Sequence, residues 1–457
     1  MSAPSVLDTD SATTTPHPTA TPDSSRPHHP TPPAVWFVVC CAAAAAFTAF
    51  QFVLPARLKT NESGDYRGFY EPVARSLADG RGLRTPNGDF ADRYPPGYPA
   101  VLAAVLASAH SSGLAEPTVL MTMGIVCWVA STFLVLKIAE QTIGAAPLTG
   151  NRRWSWLTTP VIAALLWASY PIGLWLTKQP NVEQPFLVIF LGTVWLYLKS
   201  CRSPEPNLGL GIAIGVLTGL AALIRPIAIG LSLPLIAGVW LRGDWSARRR
   251  LKMSAAIVAA NAIAVAPWLI YDRQVTGRWV PLSSGGTVSI LDGLTILEPA
   301  PPFPPIPGDV RNLMINLEAR RGEMAGMTGV ARVMIESLGD RPSATLKLLA
   351  LKAIRVWWGT ESQRYELAIA AMQAPYLLAA CAGLIRTRRS PMMIRILLIT
   401  LYFWLMAFVA LSILRYMVPV CALLMIPTAL TLRRSPLLLR RSSIPDQSRA
   451  VDVGAGS

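Results

Sequence analysis

Charged side chains are scarce in this sequence: Asp, Glu, Lys and Arg make up 15% of its 457 residues, whereas soluble domains carry about a quarter. Hydrophobic residues account for 52% of the chain, and the mean hydropathy is +0.41. Apolar runs close to the length of a membrane span recur along it. The shortage of charge excludes the soluble classes and predicts an all-α polytopic membrane protein.

Histidine and paired cysteine are also nearly missing. Of the four histidines, His17, His28 and His29 lie in the N-terminal tail, which leaves His110 alone in the rest of the chain. The six cysteines lie within apolar runs or at their edges, and none forms a spaced pair in a polar loop. These absences argue against histidine-based catalysis, a disulfide framework and a CxxC zinc site.

Acidic residues are outnumbered by basic ones, and the formal net charge is +15. In a soluble protein such an excess would indicate nucleic-acid binding. Here the basic residues form short clusters between the apolar runs, which is how the orientation of a membrane protein is encoded. We therefore expect membrane lipids, and not nucleic acid, as partners of the chain.

Large apolar residues are almost absent from residues 1–33, which are rich in Thr, Ser and Pro. This composition predicts a disordered tail. The tail lacks the charged n-region and the cleavage site of a secretory signal, so we expect the first apolar run, at 35–54, to be retained as the first span.

The orientation depends on residues 98–109, an apolar segment that is shorter than the roughly 17–25 residues needed to cross a bilayer. If this segment crossed, the basic clusters at 152–153, 242–252 and 386–395 would lie outside. If it lies on the surface as an interfacial helix, every basic cluster falls on one side, as the positive-inside rule requires. We therefore predict a surface helix here, both termini in the cytoplasm and a location in the cell (inner) membrane.

This orientation predicts a bundle of about ten transmembrane helices. The run 208–241 is too long for one span, and Arg225 and Pro226 divide it. Arginine is costly in hydrocarbon and proline breaks a helix, so a turn at the outer surface suits both. The predicted spans are 35–54, 119–136, 157–176, 185–198, 208–224, 227–241, 253–271, 367–385, 396–414 and 417–432.

Two extracytoplasmic regions follow from this topology. The first outer loop carries the interfacial helices, and the second is a larger loop region with turn-rich and proline-rich portions and an amphipathic segment at 344–358. In chain order the predicted divisions are a cytoplasmic tail (1–33), a transmembrane module (34–271) with its first outer loop (55–118), the extracytoplasmic loop region (272–366), the C-terminal transmembrane helices (367–432) and a second cytoplasmic tail (433–457).

The most polar and aromatic stretch of the N-terminal half lies in the first outer loop. Asp65 lies near its start, Asp92 and Arg93 lie near its end, and the hexad YPPGYP at 94–99 closes it. Because proline fixes φ and glycine permits tight bends, we expect the hexad to form a rigid elbow and not the interior of a helix.

Further polar residues reach the same face in this topology. A single charge at the end of a span is often a snorkelling anchor, but the convergence of several indicates a site. Two acids and several arginines above a membrane suit transfer of a sugar from a lipid phosphate, because a carboxylate can deprotonate the acceptor hydroxyl and arginines can bind the departing phosphate. The additional residues are Lys178, Glu183, Arg225, Arg415 and Tyr416.

These motifs resemble the GT-C superfamily of polyprenyl-phosphate-sugar-dependent glycosyltransferases, near the aminoarabinose transferases of lipid A and the protein O-mannosyltransferases. The likeness covers roughly residues 34–432 and depends on the order and spacing of motifs that are weak one by one. They are Gly64-Asp65 with Tyr70, ARSLADGRG at 74–82, RYPPGYP at 93–99, EQPF at 183–186, GLAALIRP at 219–226, APW at 266–268 with WVP at 279–281, and Arg415-Tyr416 with Pro419.

The resemblance implies a GT-C-type bundle in which Asp65 is the catalytic base. It also implies that Asp92 and Arg93 contact a metal or the donor phosphate, and that Glu183 lines the active site. With the residues chosen by placement, the expected donor-phosphate and substrate-binding set is Asp92, Arg93, Tyr94, Glu183, Arg225, Arg415 and Tyr416. A divalent metal ion is left open, with Asp65, Asp92 and Glu183 as candidate ligands.

The chain departs from the family pattern in two places. Tyr66 stands where many members have a second acid, and the spacing from Asp65 to Tyr70 is one residue longer than in many members. Glu62 therefore stays open as an alternative base. Region 272–366 has no histidine, which argues against a carboxylate–histidine metal site like that of some relatives.

Two functions are consistent with these features. The first is transfer of a hexose or pentose from a polyprenyl-phosphate donor to a lipid, glycan or protein acceptor on the extracytoplasmic face. The alternative is a flippase or exporter of lipid-linked sugars that makes no bond. A carrier is expected to hold ionisable residues near the bilayer midplane, whereas this chain places them at the outer ends of its spans, which favours the enzyme.

Overall fold

The structure is a computed structural model that describes residues 31–144, 156–277, 279, 282–283, 285–295 and 305–433. Within these ranges the chain is helical, and an isolated β-bridge pairs Arg84 with Phe90. The predicted tails at 1–33 and 433–457 fall almost wholly outside the described residues, as do most of the proline-rich portion and the basic pair at 152–153.

The N-terminal half contains the helices that were predicted as the transmembrane module. They are α1 (Pro33–Val53), α2 (Glu71–Ala78), α3 (Gly97–Ser112), α4 (Glu116–Ile143), α5 (Thr159–Ala168), α6 (Pro171–Leu176), α7 (Glu183–Arg202), α8 (Leu208–Ile224), α9 (Ser232–Trp240) and α10 (Ala247–Thr276). A π-helical turn, Tyr66–Tyr70, leads directly into α2, and a 3₁₀ turn, Pro226–Ala228, follows α8.

The C-terminal half begins with four helices of the predicted loop region and ends with three apolar helices. They are α11 (Gly286–Thr295), α12 (Gly308–Ala319), α13 (Gly326–Asp340), α14 (Pro342–Arg355), α15 (Glu366–Arg386), α16 (Pro391–Val409) and α17 (Val418–Arg433). A 3₁₀ turn, Leu414–Tyr416, joins α16 to α17.

Among the described residues, six helices are long and apolar enough to cross a membrane: α1, α4, α7, α10, α15 and α16. Four shorter apolar segments fall where further spans were predicted, at α5, α8, Pro226–Trp240 and α17. The polytopic all-α architecture expected from the sequence is therefore confirmed.

The predicted span 157–176 is not one helix. It breaks after Ala168, and α6 restarts at Pro171. Proline has no backbone N–H to donate and forces the residue before it away from helical geometry. Tyr170 accordingly takes an extended conformation, with φ −68° and ψ 113°.

A ridge of small residues joins α8 to α10. Gly211, Gly215 and Gly219 lie four residues apart on one face of α8, and a Cβ at Gly215 would lie 2.4 Å from the carbonyl oxygen of Ile257. A Cβ at Gly219 would lie 2.7 Å from the Cβ atom of Ala264. In membranes such small-residue faces let two backbones approach closely, and this contact fixes the end of α8 from which Arg225 follows.

The elbow prediction was partly wrong. Pro96 caps the helix, and Gly97 already begins α3, so the bend is confined to 94–96. Gly97 packs directly on the end of α8: a Cβ at this position would lie 2.6 Å from the carbonyl oxygen of Leu223. The glycine therefore permits a close contact between α3 and α8, at a residue of α8 that lies two positions before Arg225.

The predicted extracytoplasmic loop region is largely helical. Helices α11 to α14 enclose a small hydrophobic core of their own, which includes Leu294, Leu313, Leu317, Val333 and Leu348. The amphipathic segment predicted at 344–358 corresponds to α14, whose buried face completes this core. Apolar residues spaced along four short helices thus form a folded cap where a loop was expected.

Candidate active site

Asp65 lies at the start of the π-helical turn, on the outer edge of the candidate site. Its Oδ1 accepts a hydrogen bond of 2.8 Å from the Tyr94 hydroxyl and lies 3.6 Å from Nη2 of Arg93. The Asp65 side chain is 48% exposed. Among the described residues, both of these contacts fall on Oδ1.

Tyr94 is suited to hold this carboxylate as a neutral donor. Burial, followed by the neighbouring charge of Asp65, raises the pKa of Tyr94 to about 12. The phenol therefore keeps its proton across the physiological range and continues to donate to Asp65.

The longer spacing between Asp65 and Tyr70 has a structural counterpart. The five residues Tyr66–Tyr70 form a π turn, which accommodates more residues per turn than an α-helix. Tyr70 consequently stacks on Tyr94, with ring centroids 5.1 Å apart, and meets Tyr98 of α3 edge-on at 5.0 Å. These rings form a shelf beneath Asp65.

Tyr70 lies between the acid at the edge and the arginines behind it. Burial raises the pKa of its hydroxyl, the charges of Tyr94 and Asp65 act in the same direction, and those of Arg225 and Arg415 oppose them. The Tyr70 hydroxyl is therefore within electrostatic range of Asp65 and of both arginines.

Behind the shelf, Glu183 is held by two arginines from distant parts of the chain. Its Oε1 lies 2.9 Å from Nη1 of Arg225 and accepts a short hydrogen bond from Nε of Arg415. Glu183 and Arg225 are almost fully buried, at 5% and 6% exposure. A buried carboxylate of this kind is stable only when paired, and here two guanidinium groups compensate it.

Aromatic rings fix the guanidinium group of Arg225. It lies 5.0 Å from the ring centre of Tyr416 and 5.7 Å from that of Phe186. The chain turns after Arg225 into the 3₁₀ turn, so the run 208–241 is divided at the predicted place. Glu183 and the two rings surround Arg225, which leaves it less exposed than Arg415.

Arg415 is the more accessible of the two arginines, with 32% of its side chain exposed. Its Nη1 lies 3.0 Å from Oε1 of Glu361, a residue that the sequence reasoning did not single out. Glu361 belongs to the 356–365 loop between α14 and α15. Its sequence neighbourhood, with several charged residues after Trp357-Trp358, gave no spacing that pointed to Arg415.

Among the described residues, the contacts of Asp65 are with Tyr94 and Arg93, and not with Asp92. Burial, followed by the charge of Asp92, raises the pKa of Asp272, near the end of α10. Within the described part of the chain, no three His, Cys, Asp or Glu side chains are grouped as metal ligands. The candidate ligands Asp65, Asp92 and Glu183 therefore do not form one metal site.

Glu62, the alternative base, points elsewhere. It accepts two hydrogen bonds from Arg67, at 3.1 and 2.9 Å, and this partner lowers its pKa. Arg67 in turn pairs with Glu71, which also binds Arg75. This network lies on the face of the π turn and α2 that is turned away from the Tyr94 shelf.

A cavity of about 390 Å³ lies on that second face. The C-terminal part of α1 and the N-terminal part of α4 supply apolar lining, and the network of α2 supplies charged lining, together with Lys178. Burial lowers the pKa of Lys178, whose ammonium lies 4.4 Å from the ring centre of Trp175. Representative lining residues are Phe47, Met121, Gly124, Arg67, Glu71 and Gln184.

The fold resembles two solved membrane proteins. ArnT from Cupriavidus metallidurans, solved bound to undecaprenyl phosphate, matches with a TM-score of 0.53 at 14% identity over 90% of this chain and 62% of that one. The oligosaccharyltransferase AglB from Archaeoglobus fulgidus, in complex with an inhibitory peptide and a dolichol-phosphate, matches with a TM-score of 0.52 at 14% identity over 89% and 51%.

The chain thus spans between about half and two thirds of the length of these proteins. No protein-family model and no curated protein sequence matches it. At this identity the likeness concerns the fold alone, and it confirms the polytopic all-α architecture expected from the sequence. The chain is a multi-pass membrane protein of this fold.

Proposed function

We propose that the chain is a glycosyltransferase that moves a sugar from a polyprenyl phosphate to an acceptor hydroxyl. The observation that carries the proposal is the joint placement of a half-exposed carboxylate, Asp65, and the arginines Arg93 and Arg415 around the Tyr70 shelf. One group can take a proton and the others can receive a phosphate, and both lie at the same edge of an apolar bundle.

In the proposed reaction Asp65 accepts the proton of the acceptor hydroxyl as its oxygen bonds to the anomeric carbon. The bond between that carbon and the phosphate oxygen breaks, and the phosphate leaves with the electron pair. Tyr94 and Arg93 keep the carboxylate oriented, and a positioned base of this kind contributes about a hundredfold or more. Arg93 and Arg415 stabilise the charge that grows on the phosphate.

The choice of donor is consistent with what the structural neighbours hold. One was solved with undecaprenyl phosphate and the other with dolichol-phosphate. A phosphate carried on a long isoprenoid is common to both. Arginines beside apolar helices suit such a group, since the tail can stay in the bilayer while the phosphate meets the guanidinium groups.

The acceptor has a separate route in this proposal. The cavity on the far face of α2 is apolar where α1 and α4 line it and charged where α2 lines it. This polarity suits an acceptor that is itself anchored in the membrane, with a hydroxyl-bearing head directed towards the π turn. We place the site on the extracytoplasmic face, because the basic clusters then lie on the opposite side.

The carrier alternative finds less support. Ionisable side chains of the long apolar helices lie near helix ends: Glu183 begins α7, Lys137 and Glu140 lie near the end of α4, and Arg395 lies near the start of α16. A carrier needs such groups near the midplane, on several spans.

A transfer assay tests the proposal. The purified full-length chain, in lipid nanodiscs, is given a radiolabelled sugar on polyprenyl phosphate together with membrane extracts as acceptor, and mass spectrometry identifies glycolipids and glycoproteins missing from a deletion strain. We expect label to move to an acceptor. Movement of intact lipid-linked sugar across liposome membranes without label transfer would overturn the enzyme in favour of the carrier.

A further inference from the structure

We propose that Glu361 is an internal competitor for the donor phosphate on Arg415, and that its carboxylate must rotate away before a polyprenyl phosphate can bind there. This inference rests on the proposed function. It adds a residue that tunes affinity for the lipid phosphate and promotes release of the phosphate product.

The geometry of Arg415 distinguishes the two carboxylates that it binds. Glu183 contacts Nε from a buried position, whereas Glu361 contacts Nη1 at 3.0 Å with 56% of its side chain exposed. Glu183 cannot leave without losing both of its arginines in a desolvated setting. Glu361 can exchange Arg415 for water at little cost, because exposed ion pairs are weak.

The charge balance of the cluster favours this exchange. Glu183 and Glu361 carry two negative charges, and Arg225 and Arg415 carry two positive ones, so the formal charges cancel. A phosphate added to this neutral cluster gains no net attraction. Once Glu361 turns to solvent, the remaining three groups carry a net positive charge, and Nη1 of Arg415 is free to donate to a phosphate oxygen.

The backbone of the 356–365 loop is fixed, so that the exchange needs only a side-chain rotation. Arg355 and Glu366 form a buried ion pair at 2.5 Å, and Thr360 is tied to both: its N–H donates to Glu366 and its carbonyl accepts from Arg355. The N–H of Leu414 also donates to the carbonyl of Gly359 at 2.9 Å, which couples the loop to the turn that carries Arg415. Glu361 is therefore held within reach of Arg415 whether or not it is in contact.

This arrangement is useful after sugar transfer. The donor is a phosphate diester, whereas the product is a phosphate monoester that carries more negative charge and would bind two arginines more tightly. A carboxylate tethered beside Arg415 competes with the product and promotes its release. The competitor thus lowers affinity for both ligands and limits inhibition by product.

The experiment measures the Kd of undecaprenyl phosphate for the full-length chain in nanodiscs. We expect Glu361→Gln, which keeps the size of the side chain and removes its charge, to bind about two- to fivefold more tightly than wild type, as loss of a weakly held competing carboxylate predicts. Turnover should fall while KM for the donor falls too, because product release becomes slower.

Two matched variants sharpen the test. Glu336→Gln removes an exposed carboxylate of α13 that pairs with Arg320. Glu336 lies on a different helix from the residues of the candidate site, so this variant should leave the Kd unchanged. In an Arg415→Gln background, Glu361→Gln should have no effect on the Kd, because the guanidinium over which the two anions compete is gone.

An unchanged or weaker Kd in Glu361→Gln, with wild type binding normally and an unaltered melting temperature, would overturn the inference and leave Glu361 as a surface ion-pair partner. Failure of wild type to bind undecaprenyl phosphate at all would overturn the proposed function, and this inference with it. The two failures are distinguished by the wild-type measurement alone.

Discussion

Asp65 is the side chain on which the proposed chemistry depends most directly. We expect Asp65→Asn to lower the rate of sugar transfer by about a hundredfold or more, since an amide keeps the shape but cannot accept a proton. Tyr94 can still donate to the amide oxygen, so membrane insertion and binding of undecaprenyl phosphate should persist. Initial rates with labelled donor, measured beside the lipid Kd, check both halves of this expectation.

Glu62→Gln is the control for that substitution. Glu62 is bound to Arg67 on the opposite face of the π turn, so its loss should leave transfer nearly unchanged. Full activity in Asp65→Asn with loss in Glu62→Gln would assign the base to Glu62. Full activity in both variants would show that neither Asp65 nor Glu62 is the catalytic base.

Lys352 gives a residue-scale prediction outside the site. It is buried in the cap helices, and its Nζ donates to the carbonyl oxygens of Gly293 and Ala410, at 2.6 and 2.8 Å. Burial, followed by the charge of Arg355, lowers the pKa of Lys352 to about 7. A neutral amine has two N–H donors, which these two carbonyls accept.

The stability of the protein should therefore rise with pH above about 7. An unfolded lysine titrates near pH 10.4, so between these values the unfolded state binds more protons and stability increases, by at most about 1.4 kcal/mol per pH unit. We expect the melting temperature of wild type to rise relative to that of Lys352→Met between pH 7 and 9. The control Lys347→Met, at an exposed lysine, should show the same pH dependence of the melting temperature as wild type. If the melting temperatures of Lys352→Met and wild type changed in parallel with pH, the assigned pKa would be contradicted.

At the scale of elements, the contact of α3 with the end of α8 positions the site. Gly97→Ala would place a Cβ 2.6 Å from the carbonyl oxygen of Leu223, so the helices must separate. Because α3 carries Tyr98 of the shelf and α8 leads into Arg225, we expect a lower melting temperature and a severalfold or greater loss of transfer.

Gly192→Ala is the matched control in an apolar helix. A Cβ at Gly192 meets no atom within 4 Å, and alanine is the better helix former by about 1 kcal/mol. This variant should be as stable as wild type or more so. Equal behaviour of the two alanine variants would show that the helix contact is not required for the site.

At the scale of the whole molecule, the predicted membrane topology can be tested by labelling single cysteines. Charge clusters predict that position 114, after α3, and the cap helices α11 to α14 face outward, and that positions 153, 249 and 389 face the cytoplasm. In a variant without the six native cysteines, a single cysteine at 114 should react with an impermeant maleimide added to intact cells. Cysteines at 153, 249 and 389 should react only after lysis. Labelling at 249 with protection at 114 would reverse the orientation.

Some of the whole-molecule architecture could be predicted from composition and pattern alone. The apolar runs predicted that α1, α4, α10, α15 and α16 exist, because a span is defined by hydrocarbon thickness and needs no partner. The ends of α1 and α15 were predicted closely, whereas α4 and α10 continue beyond the predicted spans and α16 begins earlier. The break at Pro171 and the packing of Gly97 were missed. A proline in an apolar run and a glycine in a bend each permit several backbones, and the neighbouring helix selects among them.

The sequence predicted a loop region where the structure has the four cap helices, and here too packing made the difference. Apolar residues in 286–355 are spaced for helices, but each helix is too short to signal clearly on its own. Their shared core makes them stable together.

The sequence by itself determined that this protein is a helical membrane protein, and it identified Asp65, Arg93, Glu183, Arg225 and Arg415 as polar residues out of place beside apolar runs. These are local properties, because the bilayer penalises each charge separately. Only the tertiary structure decided which of them are in contact. Glu183 meets Arg415 across 232 positions of sequence, Arg93 and not Asp92 pairs with Asp65 among the described residues, and Glu361 pairs with Arg415 although no sequence spacing indicated this contact. Pairing between distant charges depends on how helices pack, and no local pattern in the chain encodes that packing.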